Sequence, residues 1–215
     1  MGQKINPKIL RLGSLYTWSS RWFADKGYKE TLLEDINLRK AILERLKNAG
    51  VSEVQIERSI NSMKLIIYVA RPGMVIGRGG SGLEEIKEFV HKTLKISKDS
   101  KTAPKIDIRI EPVKEPNLDA FLIAKNIAEQ LAKRIPHRRV MTKTLERIME
   151  SGAKGARIVL SGRVGGAEIG RVEKLQRGTL PLSTIRANIS FSHVPALTKK
   201  GYVGVKVWIN RSEIK

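Results

Sequence analysis

Gly77, Gly79, Gly80 and Gly82 crowd into one short stretch, with Arg78 among them. An apolar run at 64–69 precedes them and a helix-like run at 83–94 follows. Glycine lets a backbone approach an anion with no Cβ in the way. A helix that starts directly afterwards offers N–H groups without intrahelical partners. Arg78 adds a full positive charge, and Lys87, one turn into the helix, adds another. The chemistry that suits these residues is non-covalent: they can grip a phosphate backbone. The same stretch also spells G-x-G-x-x-G through Gly77, Gly79 and Gly82, a dinucleotide fingerprint. That fingerprint requires an acidic residue about 20 positions later, at the end of the next strand. Ser97-Lys98-Asp99-Ser100-Lys101 stands there instead, reading as a polar loop without the βαβ repeats of a dinucleotide fold. No G-x-x-x-x-G-K-[ST] pattern occurs, so nucleotide hydrolysis has no support.

Two further stretches concentrate positive charge. Arg139, Lys143 and Arg147 lie four apart and share one face of an expected helix at 138–150, with Lys133, Arg134 and Arg138 extending the patch. Like charges at that spacing cost a few tenths of a kcal/mol, and a polyanion reverses the sign. The competing reading is a solvated face partly neutralised by Glu146 and Glu150. From Ser161 to Arg171, glycines alternate with Arg163 and Arg171, and Lys174 and Arg177 continue the charge. This reads equally as backbone held close to phosphate and as a glycine-rich hairpin connection.

Catalytic constellations are missing. His91, His137 and His193 lack metal-ligand spacing. There is no G-x-S-x-G elbow and no cysteine, which removes disulfides and thiolate chemistry. The chain is therefore read as a non-enzyme with no metal, no cofactor and no small-molecule substrate.

Composition agrees with a polyanion ligand. The 215 residues hold 41 Lys+Arg against 21 Asp+Glu, a formal net charge of +20. Such an imbalance repels itself until a polyanion neutralises it. A membrane is not the expected partner. The longest apolar run, 65–70, is far too short to span a bilayer. Asn6 stands where a myristoylation signal requires Ser or Thr.

The elements that position these residues follow from periodicity. Residues 1–36 read as a basic, aromatic arm. It carries Lys4, Lys8, Arg11, Arg21, Lys26 and Lys29, with Tyr16, Trp18, Trp22, Phe23 and Tyr28. Interleaved Arg and Trp suit stacking on bases, or else the rings pin the arm to the protein. A helix capped by Asp35 or Asn37 follows, with Leu38, Ile42, Leu43 and Leu46 inward and Gly50 at its end. Strands are expected at 51–56, 63–70 and 105–110, a short helix at 72–76 and a longer one at 83–94. Prolines at 112 and 116 bound a linker. In the second half Asn117 is the expected N-cap of a helix that Pro136 ends. The basic helix at 138–150 follows, buried along Met141, Leu145 and Ile148, with strands at 156–160, 169–175, 185–192 and 203–209. Helices first and strands after indicate an α+β layer structure.

The order helix-strand-strand-helix-helix-strand, with G-x-x-G at Gly77 and Gly80, resembles the type II KH module, whose loop clamps single-stranded nucleic acid. Within that loop Arg78 is the only cation, since Gly79 holds the second variable position. The expected organisation is the arm at 1–36, a KH domain at 37–112 and a second α+β domain at 117–215, with two helices on a mostly antiparallel sheet.

A wider resemblance joins both halves. Met1-Gly2-Gln3-Lys4, Arg11-Leu12-Gly13, Trp22-Phe23 and Ala70-Arg71-Pro72-Gly73 carry it in the first half. Gly152-Ala153-Lys154-Gly155, Gly165-Gly166-Ala167-Glu168, Leu180-Pro181-Leu182 and Gly204-Val205-Lys206-Val207-Trp208-Ile209 carry it in the second. Together they resemble the family of the third protein of the small ribosomal subunit, bacterial type. The resemblance implies an RNA-binding structural component of the subunit head, on a cytoplasmic or organellar ribosome. It implies contact with small-subunit rRNA, with mRNA on the side where it enters, and with ribosomal proteins ten and fourteen. The mRNA would meet Arg138, Arg139, Lys143 and Arg147. The rRNA would meet Lys4, Lys8, Arg11, Arg21, Trp22, Lys154, Arg163, Arg171, Lys174 and Arg177. Thr142 departs from the family, which commonly has a cation there; Lys143 follows about 100° further round the helix.

Overall fold

A computed structural model of the chain describes residues 4–59, 61–94 and 105–211. The lysine-rich loop expected at 97–104 lies outside the described residues. The chain divides into two compact units, Trp18–Lys114 and a second built from Met1–Thr17 with Glu115–Lys215. The expected 1–36 arm is thus shared between them. Its first helical turn, α1 (Pro7–Leu10), belongs with the C-terminal unit, and strand β1 (Ser20–Arg21) with the other.

In the unit at 18–114, helix α2 spans Tyr28–Arg45. It begins well before the expected cap at Asp35 or Asn37, and Gly27 in the left-handed region precedes it. Asp35 is instead buried mid-helix, because a cationic partner holds it there, as described below. Strands β2 (Val51–Arg58) and β3 (Ser62–Val69) pair antiparallel, placing Ile56 opposite Leu65. Between β3 and the last strand come α3 (Pro72–Ile76) and α4 (Ser81–Thr93). Strand β4 (Lys105–Pro112) returns parallel to β3, and the sheet order is β1-β2-β3-β4. This is the type II KH arrangement. Leu38, Ile42, Ile56, Leu65, Ile67, Val75, Ile86 and Val90 form one core between helices and sheet. The period-two and period-3.6 patterns converge on that core.

In the other unit, α5 runs Ala120–Ala132 and α6 runs His137–Glu150. The N-cap of α5 is Asp119 rather than Asn117. Its carboxylate accepts the amides of Phe121 at 2.8 Å and Leu122 at 3.2 Å, while 116–118 form a 3-10 turn. The sheet is β6-β5-β8-β7, antiparallel throughout its described pairings. Its strands are β5 (Gly155–Gly162), β6 (Arg171–Gly178), β7 (Ile189–Thr198) and β8 (Gly201–Asn210). Pro195 fits in β7 because that strand lies at an edge, where a missing N–H removes no ladder bond. The core joins Ile127, Leu145 and Ile148 of the helices to Ile158, Leu160, Val205, Val207 and Ile209 of the sheet.

Two strands start later than the sequence expectation. β6 starts at 171 rather than 169, since 164–166 form a 3-10 turn and Ile169 stays exposed. β7 starts at 189 rather than 185. The carbonyls of Pro181, Leu182, Thr184 and Ala187 point to the guanidinium of Arg11 instead of joining a ladder.

Candidate nucleic-acid interface

The glycine loop at 77–80 bridges α3 and α4. Gly77 has φ 70° and ψ −179°, a conformation that side chains exclude. Gly82 serves close packing: a Cβ there would lie 2.3 Å from the Val75 carbonyl oxygen, so glycine lets α4 start against α3. Nothing stands within 4 Å of a Cβ at Gly79 or Gly80, so this side of the loop is open. α4 begins without a side-chain cap, directly after a 3-10 turn at 78–80. Lys87 is exposed on the helix.

Helix α6 carries exposed positive charge along one face. Val140, Met141, Thr144, Leu145 and Ile148 are buried, and Arg138, Arg139, Thr142, Lys143 and Arg147 are exposed. Among the described residues none of those four cations has an ion-pair partner. The nearby Glu146 reaches Arg177 instead, at 3.6 Å. The first turn of α6 has no acidic residue and its N-cap, Pro136, supplies no side-chain acceptor. Two arginines therefore sit at the positive end of a helix dipole, where anions are preferred. A bound phosphate would relieve that conflict.

The glycine-arginine stretch is the connection between the antiparallel strands β5 and β6. Arg163 is exposed and donates its Nε–H to the carbonyl of Ala167 at 2.8 Å. Arg171 pairs with Glu173 at 2.9 Å, and Glu173 also approaches His137 at 2.8 Å. Lys174, Lys154 and Lys4 are exposed. Lys8 lies over the Tyr16 ring, 5.8 Å from its centroid. Arg21 pairs with Glu57 at 3.2 Å.

Arg11 and Trp22, both expected at RNA, have partners inside the protein. Arg11 is fully buried, and its guanidinium donates to five backbone carbonyls, of Pro7, Pro181, Leu182, Thr184 and Ala187. Full burial keeps its guanidinium from an outside phosphate, so it is an internal strut. Trp22 donates its Nε1–H to Asp35 at 2.8 Å and packs on Tyr28 with ring centroids 5.1 Å apart. Its ring pins the segment to α2. Trp18 and Phe23 remain strongly exposed.

Sequence reasoning passed over Lys199 and Lys200, exposed in the β7–β8 turn. A Lys-Lys-Gly between two alternating runs was the available signal. Among the described residues there is no cluster of His, Asp and Glu fit for a metal, and no helix is long and apolar enough to cross a membrane.

The KH domain family matches residues 37–118, and the ribosomal protein S3 C-terminal domain family matches residues 127–209. Small ribosomal subunit protein uS3 of Lactobacillus acidophilus is 48% identical over 214 residues, covering 100% of this chain and 92% of that protein. The uS3 protein of Desulfitobacterium hafniense is 45% identical, covering 100% of this chain and 94% of its own length. That of Bacillus cytotoxicus is likewise 45% identical, with 94% of its length covered. The chain belongs to the ribosomal protein S3 family. The expected resemblance and the KH architecture both hold. The S3 family is a structural component of the small subunit and not an enzyme, in keeping with the reading of the chain as a non-enzyme.

Proposed function

We propose that the chain holds RNA on the head of the small ribosomal subunit through charge and close backbone approach. It binds small-subunit rRNA through Lys4, Lys8, Arg21, Trp22, Lys154, Arg163, Arg171, Lys174 and Arg177. It also guides mRNA along Arg138, Arg139, Lys143 and Arg147 of α6 on the side where the strand enters, positioning it for translation and aiding its unwinding. The loop at Gly77, Arg78, Gly79 and Gly80 with Lys87 forms a second RNA contact. Ribosomal proteins ten and fourteen are its neighbours, and its compartment is that of the ribosome, cytoplasmic by analogy with its bacterial relatives. The observation that carries this reading is the exposed cation set on α6, without ion-pair partners among the described residues, on a helix whose first turn holds no acidic residue and whose N-cap supplies no side-chain acceptor. Lys and Arg on such a face release counterions from phosphates, which makes binding steeply salt-dependent.

Sedimentation of a native lysate through a magnesium-containing gradient tests it. Travel with the small subunit, followed by crosslinks from mRNA to the 138–147 segment, is the expected result. A chain that stays at the top of the gradient, bound to scattered RNAs, would instead be a free-standing KH regulator.

A further inference from the structure

A cavity of about 560 Å³ opens in the C-terminal unit, between the α5–α6 turn, the β5–β6 connection and the β7–β8 turn. Its floor is apolar: Val164 and Val203 are buried, and Leu131 and Ile135 are partly so. Its mouth is cationic, since Arg134, Arg163, Lys199 and Lys200 line it and are exposed. No carboxylate among the described residues lines it. We propose that this cavity seats one unstacked nucleotide of an RNA strand, its base on the apolar floor and stacked by the guanidinium planes of Arg134 and Arg163, its phosphates against Lys199 and Lys200. This rests on the RNA-binding reading above and assigns one of its contacts.

Backbone geometry at the mouth supports the proposal independently. Helix α5 ends in a Schellman motif: the amide of Ile135 bonds the carbonyl of Gln130 at 3.2 Å, and that of Arg134 bonds Leu131 at 2.9 Å. The left-handed residue of that motif is usually glycine. Here it is Arg134, with φ 62°, the only non-glycine positive φ among the described residues. Strain of this kind marks a side chain retained for its position. Two other cations are pre-oriented. Lys200 donates to the Gly166 carbonyl at 3.0 Å and Arg163 to Ala167 at 2.8 Å, and Lys200 has further N–H donors for a phosphate.

The size and lining decide the occupant. Pockets of roughly 300–1,000 Å³ take small ligands, and a nucleotide falls in that range. Guanidinium planes offer stacking surfaces to a base. The cavity wall also includes Pro136 and His137, so it is continuous with the start of the basic helix α6. An RNA strand crossing that face reaches both. An acidic peptide with an apolar anchor is the competing occupant.

The test uses the full chain with two fluorescein-labelled strands of equal length and charge, a 12-residue oligouridylate and its abasic counterpart. Arg134→Gly and the double variant Arg163→Ala/Lys200→Ala are compared with wild type at fixed salt. Loss of the stacking of one base sets the scale. The preference for the base-bearing strand is expected to fall about tenfold in both variants, with abasic affinity falling only about twofold. Arg134→Gly should melt no lower than wild type, so the loss cannot be unfolding. Crosslinks from 4-thiouridine should fall within 131–137 or 163–166. Equal weakening of both strands would reduce the cavity to part of a general phosphate surface and overturn the proposal, leaving RNA binding intact. An acidic 12-residue peptide carrying one Phe that binds wild type as tightly as the oligouridylate, and loses that in Arg134→Gly, would make it a protein site. Absence of binding to either strand at low salt would overturn the RNA reading itself.

Discussion

Arg58 on β2 reaches back to Asp35 on α2, with its Nη2 2.6 Å and its Nε 2.8 Å from the carboxylate oxygen Oδ1. The other oxygen accepts from Trp22, so one buried carboxylate ties a strand, a helix and the preceding segment together. Arg58 also touches Glu34 at 2.9 Å, outside the core. The charge at the centre of this joint has its partners inside the protein, which explains how an acidic residue sits fully buried among hydrophobic neighbours.

Asp35→Ala should therefore destabilise the fold strongly. Removing the carboxylate leaves Arg58 with Glu34 alone and the Trp22 N–H without its acceptor, at about 2–3 kcal/mol. Urea unfolding of the full chain reads this as a lower midpoint, and Trp22 fluorescence should report release of its ring. A shift under about 1 kcal/mol would mean that water replaces Asp35 without loss.

Arg11→Met separates fold from RNA contact. The substitution leaves five carbonyls without their donor, and orphaned acceptors of this kind cost about 1–3 kcal/mol each where water cannot reach them. A melting temperature lowered by roughly 10 °C or more is expected, with RNA affinity of the still-folded chain unchanged within twofold. A salt dependence of binding that falls with Arg11→Met would restore it as a phosphate contact.

Most of the fold was legible because apolar periodicity and core agree. Leu38, Ile42, Ile86 and Val90 on helices, and Val54, Ile56, Leu65 and Ile67 on strands, are all buried where their spacing put them. The exposed face of α6 was legible for the same reason, since Met141, Leu145 and Ile148 fix which side is left for Arg139, Lys143 and Arg147. What sequence could not show was long-range polar satisfaction. Arg11 and its acceptors at 181–187 lie about 170 positions apart in the chain, and a buried arginine looks like any other basic residue in a basic arm. The left-handed Arg134 was illegible too, because a Schellman turn without glycine carries no compositional mark.

The basic face of α6 predicts a salt slope. Each single-strand phosphate contact contributes about 0.7 to the slope of log affinity against log salt. Replacing Arg138, Arg139, Lys143 and Arg147 with Ala should therefore flatten the slope by about 3. The fold should hold or gain slightly, because repulsion between like charges four residues apart is removed. Filter binding across a salt series, beside a thermal melt, checks both. An unchanged slope would place the RNA elsewhere.

The glycine loop allows a paired comparison. Gly82→Ala pushes a Cβ into the Val75 carbonyl oxygen and should cost about 2 kcal/mol of stability as α3 and α4 shift. Gly79→Asp meets open space, and Asp tolerates the left-handed backbone that Gly79 adopts at φ 63°. It should melt within a few degrees of wild type yet bind single-stranded RNA about tenfold more weakly, since a carboxylate replaces an approach path for phosphate. Wild-type affinity in Gly79→Asp would show that the loop faces something other than RNA.

Tyr68 supplies the pH dependence. It lies on β3 opposite Glu53 of β2 and Glu111 of β4. Burial raises its pKa above 10.0, and the charge and hydrogen bond of Glu111 and the charge of Glu53 push the same way, against Arg21. The folded chain therefore keeps the phenol proton at a pH where the unfolded chain has lost it. The stability this contributes is fully present below the unfolded value and is lost as pH climbs through the folded one. Lysines titrate in the same range, so the comparison is between wild type and Tyr68→Phe, which has no proton to lose. The difference in urea midpoint between the two should be constant from pH 8 to pH 10 and then move against wild type as pH rises further. A difference that stays flat through pH 11 would mean that Tyr68 ionises alike in both states, and that its two glutamates exert no net field on it.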